Sequence, residues 1–204
     1  MNDISSVESN ITVLTPSTDL LISVADFKIK NRVSGTAEDD LIELYIRLSQ
    51  KIIEEYTGRS IFETIYVQSQ RIFPGERENF EIVLKRAGSV NGVPVIKCMV
   101  DGELTTISTS EYSIAGYLKL PPVIYLKPNK TWPICDGVAG GIQITFTCGE
   151  SEPENIDPML VQAVTWMASH CYQHRVPVNV GGGVVNEVPF SLKMLLNLLK
   201  VYWV

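Results

Sequence analysis

His170 and His174 are the only histidines in the chain, and a spacing of four can set two imidazoles on one helix face, where a metal ion is chelated. The residues between them, Cys171-Tyr172-Gln173, lack the glutamate of a metalloprotease signature. A helix end whose dipole favours an imidazole is the preferred reading, and no metal is expected. Nucleophilic catalysis requires a Ser or Cys with a base and an orienting acid. Cys171 adjoins His170, but helical neighbours point about 100° apart, a poor arrangement for a dyad. Gly181-Gly182-Gly183 lacks the Lys-Ser/Thr ending of a phosphate loop, and the glycines from Gly137 to Gly141 fail the dinucleotide fingerprint. Glu54-Glu55 and Asp39-Asp40 read as solvated faces or dipole partners. No catalytic residue and no cofactor are expected.

The 204 residues suffice for a sizeable core in one domain or two compact lobes. A formal charge of −6 speaks against non-specific DNA binding, which needs clustered Lys and Arg. It leaves room for DNA sliding past an acidic wall. No stretch approaches the ~20 apolar residues of a membrane span, and the polar start Met1-Asn2-Asp3-Ile4-Ser5 shows no secretory signal. The cysteines Cys98, Cys135, Cys148 and Cys171 are widely spaced without a Cys-x-x-Cys unit, so reduced, partly buried thiols are expected.

The elements that position these residues are helical at both ends and strand-rich between. Residues 1–18, rich in Ser, Thr and Asn, read as a flexible arm or a segment that orders on a neighbour. A first helix is predicted over Ser23 to Arg32 with Ser23 as N-cap. A second opens at Thr36, where Asp39 completes a variant capping box, and stops at Gly58. Its apolar stripe is wide: Leu41, Tyr45, Leu48 and Ile52 in one row, Ile42, Ile46, Ile53 and Tyr56 in the next. From Ser60 to Cys148 period-two patterning predicts strands at 61–73, 80–84, 93–100, 103–107, 112–114, 123–126 and 142–148. Asp101-Gly102 marks a hairpin, and Pro74-Gly75, Asn91-Gly92 and Gly140-Gly141 mark turns. Asp157-Pro158 opens a third helix through Leu160, Val164, Met167 and Cys171. A last helix from about Pro189 carries Leu192, Leu195, Leu196 and Leu199. It is apolar almost throughout, so it serves as a core element or as an intersubunit contact.

These signals, in this order, look like the phage head–tail connector proteins, the head-completion and DNA-packaging adaptors of tailed phages and prophages. The resemblance spans residues 20 to 202. It rests on Leu41-Ile42 leading to Glu55-Tyr56-Thr57-Gly58-Arg59, on Trp132-Pro133, and on Ile144-Thr145-Phe146-Thr147-Cys148-Gly149. It continues through Ile156-Asp157-Pro158, Gln162-Ala163, Tyr172-Gln173-His174-Arg175 and Val188-Pro189-Phe190 before Leu195-Leu196. Two departures stand out: Glu150-Ser151-Glu152 follows Gly149 where similar sequences have a Gly-Tyr-Gly turn, and the chain ends in Tyr202-Trp203 where they have Pro-Tyr-Arg.

The resemblance implies a structural virion protein at the head–tail junction, made in the bacterial cytoplasm. It implies a homo-oligomeric ring of about a dozen copies, an assembly in which each subunit needs two complementary patches. The ring would sit under the portal protein, extend the DNA channel, and dock the next connector or tail protein, with DNA as passing cargo and no membrane. The expected fold is α+β: helices from both ends, 19–59 and 157–204, packed as a small bundle, with a β-rich insertion over 60–150. Expected interface residues are Arg59, Tyr172, Arg175, Phe190, Tyr202 and Trp203. Two rivals are kept: a tail-side completion or terminator protein, and a small metal- or Cys/His-dependent enzyme using His170, Cys171 and His174.

Overall fold

The computed structural model of the protein describes residues 10–71, 81–116, 121–175 and 190–202. The fold is α+β, as expected, with helices and antiparallel sheets. The chain divides into two compact units. A strand unit draws on Met1–Ser17, Phe62–Glu150 and Tyr202–Val204, and a helical unit on Thr18–Ile61 and Ser151–Val201.

The strand unit contains β1 (Asn10–Thr15), β2 (Thr64–Gln70), β3 (Ile82–Val83), β4 (Val90–Val100), β5 (Glu103–Thr106), β6 (Tyr112–Ala115), β7 (Val123–Leu126) and β8 (Ile142–Cys148). One sheet runs β1-β2-β8-β4-β5 and a smaller one β3-β7-β6, all neighbours antiparallel. Along β2 and β8 every second residue is buried, which is how a period-two sequence covers a core. Tyr66 and Phe146 stack there with ring centroids 5.6 Å apart. Ile96, Ile142 and Ile144 from the large sheet and Ile82, Tyr112 and Ile124 from the small one join the same cluster. The buried Tyr112 hydroxyl donates to the Pro94 carbonyl at 2.6 Å, which satisfies it.

Several strand expectations change. Asn10–Thr15, inside the segment read as an arm, is a strand paired with β2, and its Ile11 and Val13 pack on the core. Asn91-Gly92 is no turn but an irregularity inside β4, where the register shifts between Asn91 and Val95. Gly92 takes φ 74° there, and Asn91 Nδ2 donates to Glu63 Oε2 at 2.9 Å and to the Gly149 carbonyl at 3.0 Å. Asp101-Gly102 is the expected hairpin, both residues at positive φ. Pro74-Gly75 lies outside the described residues. The cysteines are not all reduced: Cys98 on β4 and Cys135 form a disulfide, while Cys148 and Cys171 are free. The two half-cystines are 37 positions apart, so only the topology brings them together. Next to the bridge, Asp136 accepts from the Gly102 amide at 2.8 Å and the Asp101 amide at 3.3 Å, holding the β4–β5 turn.

The helical unit contains α1 (Val24–Asn31), α2 (Asp39–Thr57), α3 (Pro158–Gln173) and α4 (Phe190–Leu199), so helices from both chain ends share one body. Ser23 caps α1, its hydroxyl accepting from the Asp26 amide at 3.0 Å. Asp157 caps α3 over the Met159 amide at 2.8 Å, with Pro158 at the first helical position. The capping box at Thr36 does not form. The cap of α2 is Glu38, with no side-chain cap bond, because the nearby carboxylates have tertiary partners: Asp39 pairs with Lys28 at 2.7 Å, and Glu38 is taken by α3. Gly58 ends α2 at φ 72°, its amide bonded to the Glu54 carbonyl. The Val201 amide reaches the Thr57 carbonyl at 2.8 Å, satisfying another terminal acceptor of α2. Of the two apolar rows predicted on α2, the one through Ile42, Ile46 and Ile53 is core, while Leu48 and Ile52 stay exposed. Leu160, Val164 and Met167 of α3 and Leu192, Leu196 and Leu199 of α4 are likewise buried.

Candidate functional site

The residues singled out for chemistry separate. His170 and His174 lie one turn apart near the end of α3 with ring centroids 4.8 Å apart, and the His174 amide closes that turn on the His170 carbonyl. Burial, and then the neighbouring His174, hold His170 below the usual imidazole pKa. Cys171 is turned away from the pair. It contacts the Ser49 hydroxyl, and burial raises its thiol pKa despite that bond, so its thiolate is disfavoured. Nucleophile and base therefore occupy different faces of α3. Among the described residues no group of three or more His, Cys, Asp and Glu gathers to hold a metal. No helix among them is long and apolar enough to cross a membrane.

The expected interface residues fall into different environments. Arg59 is only 8% exposed, just past α2; burial lowers its pKa and the charge of Asp157 acts the other way. It belongs to the interior of the helical unit. Tyr172 and Arg175 close a polar clamp on Glu38. The Tyr172 hydroxyl donates to Glu38 Oε2, Arg175 Nη2 meets Glu38 Oε1 at 2.7 Å, and the guanidinium lies over the Tyr172 ring at 4.8 Å. Phe27 packs edge-on against that ring at 5.6 Å. The hydrogen bonds from Tyr172 and Arg175 hold the Glu38 carboxyl below its ordinary pKa. Phe190 is 81% exposed and Tyr202 63%, while Trp203 lies outside the described residues.

An open apolar surface on the helical unit was only half anticipated. On α2, Leu44, Leu48, Ile52 and Tyr56 recur every four residues, and all are exposed. On α4, Phe190, Met194 and Leu198 do the same. Such spacing draws a ridge along a helix. Near the helix ends Tyr56 reaches residues beside the second ridge: its hydroxyl donates to Asn197 Oδ1 at 2.8 Å, and Lys200 Nζ sits 5.3 Å from its ring centroid. Leu44, Met194 and Leu198 were missed by the sequence reading. The signal was present, since an apolar helix with residues on more faces than one core can bury leaves a ridge outside.

Comparison with known proteins bears on both units. Residues 21–84 match the sequence profile of the phage gp6-like head-tail connector protein family. The resemblance read from the sequence stands over that segment. It runs from before α1 through α2 to β3 and includes Leu41-Ile42 and Glu55-Tyr56-Thr57-Gly58-Arg59. Over nearly the whole chain the fold is similar to that of a chain in the neck of an empty gene transfer agent (GTA) particle computed with C6 symmetry. The TM-score is 0.75 at 20% identity, covering 96% of this chain and 97% of that one. A chain in the virion of the native gene transfer agent particle matches with TM-score 0.70 at 18% identity, covering 95% and 96%. One in the neck of the native particle computed with C12 symmetry matches with TM-score 0.68 at 18% identity, covering 97% of both. At these identities the likeness is one of fold. No curated protein matches the chain.

Proposed function

We propose that this protein is a structural head–tail connector of a tailed phage or prophage, without enzymatic activity, located at the head–tail junction of the virion. The observation that carries the reading is the agreement of two independent likenesses: the connector-family match over residues 21–84 and a fold shared end to end with neck chains of a phage-like particle. Neck assemblies computed with C6 and C12 symmetry support a ring, and a ring requires each subunit to present two different, complementary patches. In this reading the subunits assemble under the portal protein, extend the DNA channel and dock the next connector or tail protein. The acidic balance of the chain suits a conduit that lets DNA pass.

The surfaces assigned to assembly are the ridge Leu44–Leu48–Ile52–Tyr56 and the ridge Phe190–Met194–Leu198, with Tyr202 beyond it. Tyr172 and Arg175 act mainly inside the subunit, through Glu38, and Arg59 is interior, so neither site is a first choice for mutagenesis of contacts. The test is co-sedimentation of purified protein with portal-bearing heads. Wild type is expected to pellet with heads, and the charged double variant Leu48→Asp, Met194→Asp is expected to stay in the supernatant while keeping its circular dichroism spectrum. Wild type that ignores heads and binds tail tubes would move the protein to the tail side.

A further inference from the structure

We propose that His170 and His174 form a two-imidazole chelating site for one divalent ion of the late first transition row (Zn2+, Ni2+ or Cu2+), its shell completed by water. Two imidazoles on one tetrahedral ion have centroids ~5 Å apart at ordinary metal–nitrogen lengths. The pair here is at 4.8 Å with the rings tilted by 56°. The rings line an open groove of about 270 Å³ together with Trp166, Ser169, Gln173, Ser191 and Leu192, where water can complete a metal's shell. Helix α3 fixes the spacing of both donors, since the His174 amide is bonded to the His170 carbonyl at 3.0 Å.

Two further observations point the same way. The pair sits at the C-terminal end of α3, where the helix dipole favours a cation. The guanidinium of Arg175, next in sequence to His174, is drawn onto Glu38 at 2.7 Å, which offsets its charge. Paired imidazoles prefer the late transition ions over Mg2+ and Ca2+, with Cu2+ the tightest. The inference stands apart from the connector reading and holds or fails without it.

Because the chain has two histidines, the imidazole ring signals in an NMR spectrum of the untagged protein report this pair alone. On titration with Zn2+ at neutral pH, both sets of ring signals are expected to move together and saturate at one equivalent, and the melting temperature to rise. His174 is exposed, so His174→Ala keeps the fold, confirmed by circular dichroism, and abolishes both responses. Cys171→Ser leaves both intact. Ring signals that stay put in a large excess of Zn2+, a response that survives His174→Ala, or an equal response to Mg2+ would each overturn the site.

Discussion

At Gly149 the backbone turns out of β8 with φ 115°, and a Cβ there would stand 2.1 Å from the Phe62 carbonyl oxygen. Both the left-handed conformation and the close approach require glycine. Gly149→Ala is expected to cost roughly 3 kcal/mol or more, read from the urea unfolding midpoint. Glu38 offers a pH test. Its folded pKa is depressed, so the stability it contributes is fully present above its unfolded pKa and is lost as pH falls through the folded value. Wild type should therefore lose stability as pH drops below roughly 4, the ordinary carboxylate range, and Glu38→Gln should flatten that part of the profile. If the two profiles run parallel, the clamp contributes nothing that titrates. Ser23 and Asp157 were legible as caps because each bonds an amide two or three residues away. Glu38 was not, since its partners Tyr172 and Arg175 lie 134 and 137 positions along the chain.

Within α2 two apolar rows compete for the core, and periodicity alone could not rank them. Packing against α3 and α4 selects Ile42, Ile46 and Ile53, which are fully buried. Ile46→Ala is expected to cost about 2–5 kcal/mol, whereas Leu48→Ala in the isolated protein should change stability by no more than about 0.5 kcal/mol. Chemical denaturation of the two variants side by side checks the assignment, and equal losses would contradict it. The strands of the β-rich region were readable from alternation, down to β7 and β8. Strand β1 was hidden by its Asn and Thr content, and the β4 irregularity by an Asn-Gly pair that elsewhere makes a turn. The Cys98–Cys135 bridge was invisible because spacing carries no information about contacts made 37 residues apart. Reducing it, or replacing both residues by Ser, should lower unfolding stability by about 2–4 kcal/mol, measured as a difference between midpoints with and without reductant.

For the molecule as a whole, the sequence order of weak signals proved as informative as any single motif. The connector-family match covers only residues 21–84, yet the fold likeness to neck chains runs through 95% or more of the chain. What sequence patterning left open was which apolar residues face outward, because that depends on how much surface four helices bury between them. The exposed ridges on α2 and α4 are where the proposed assembly meets the folded subunit. The decisive measurement is electron microscopy of portal-bearing, DNA-filled heads mixed with the purified protein. A connector is expected to add a ring of density below the portal, absent when the Leu48→Asp, Met194→Asp variant replaces wild type. Heads that stay bare with wild-type protein present would contradict the connector role.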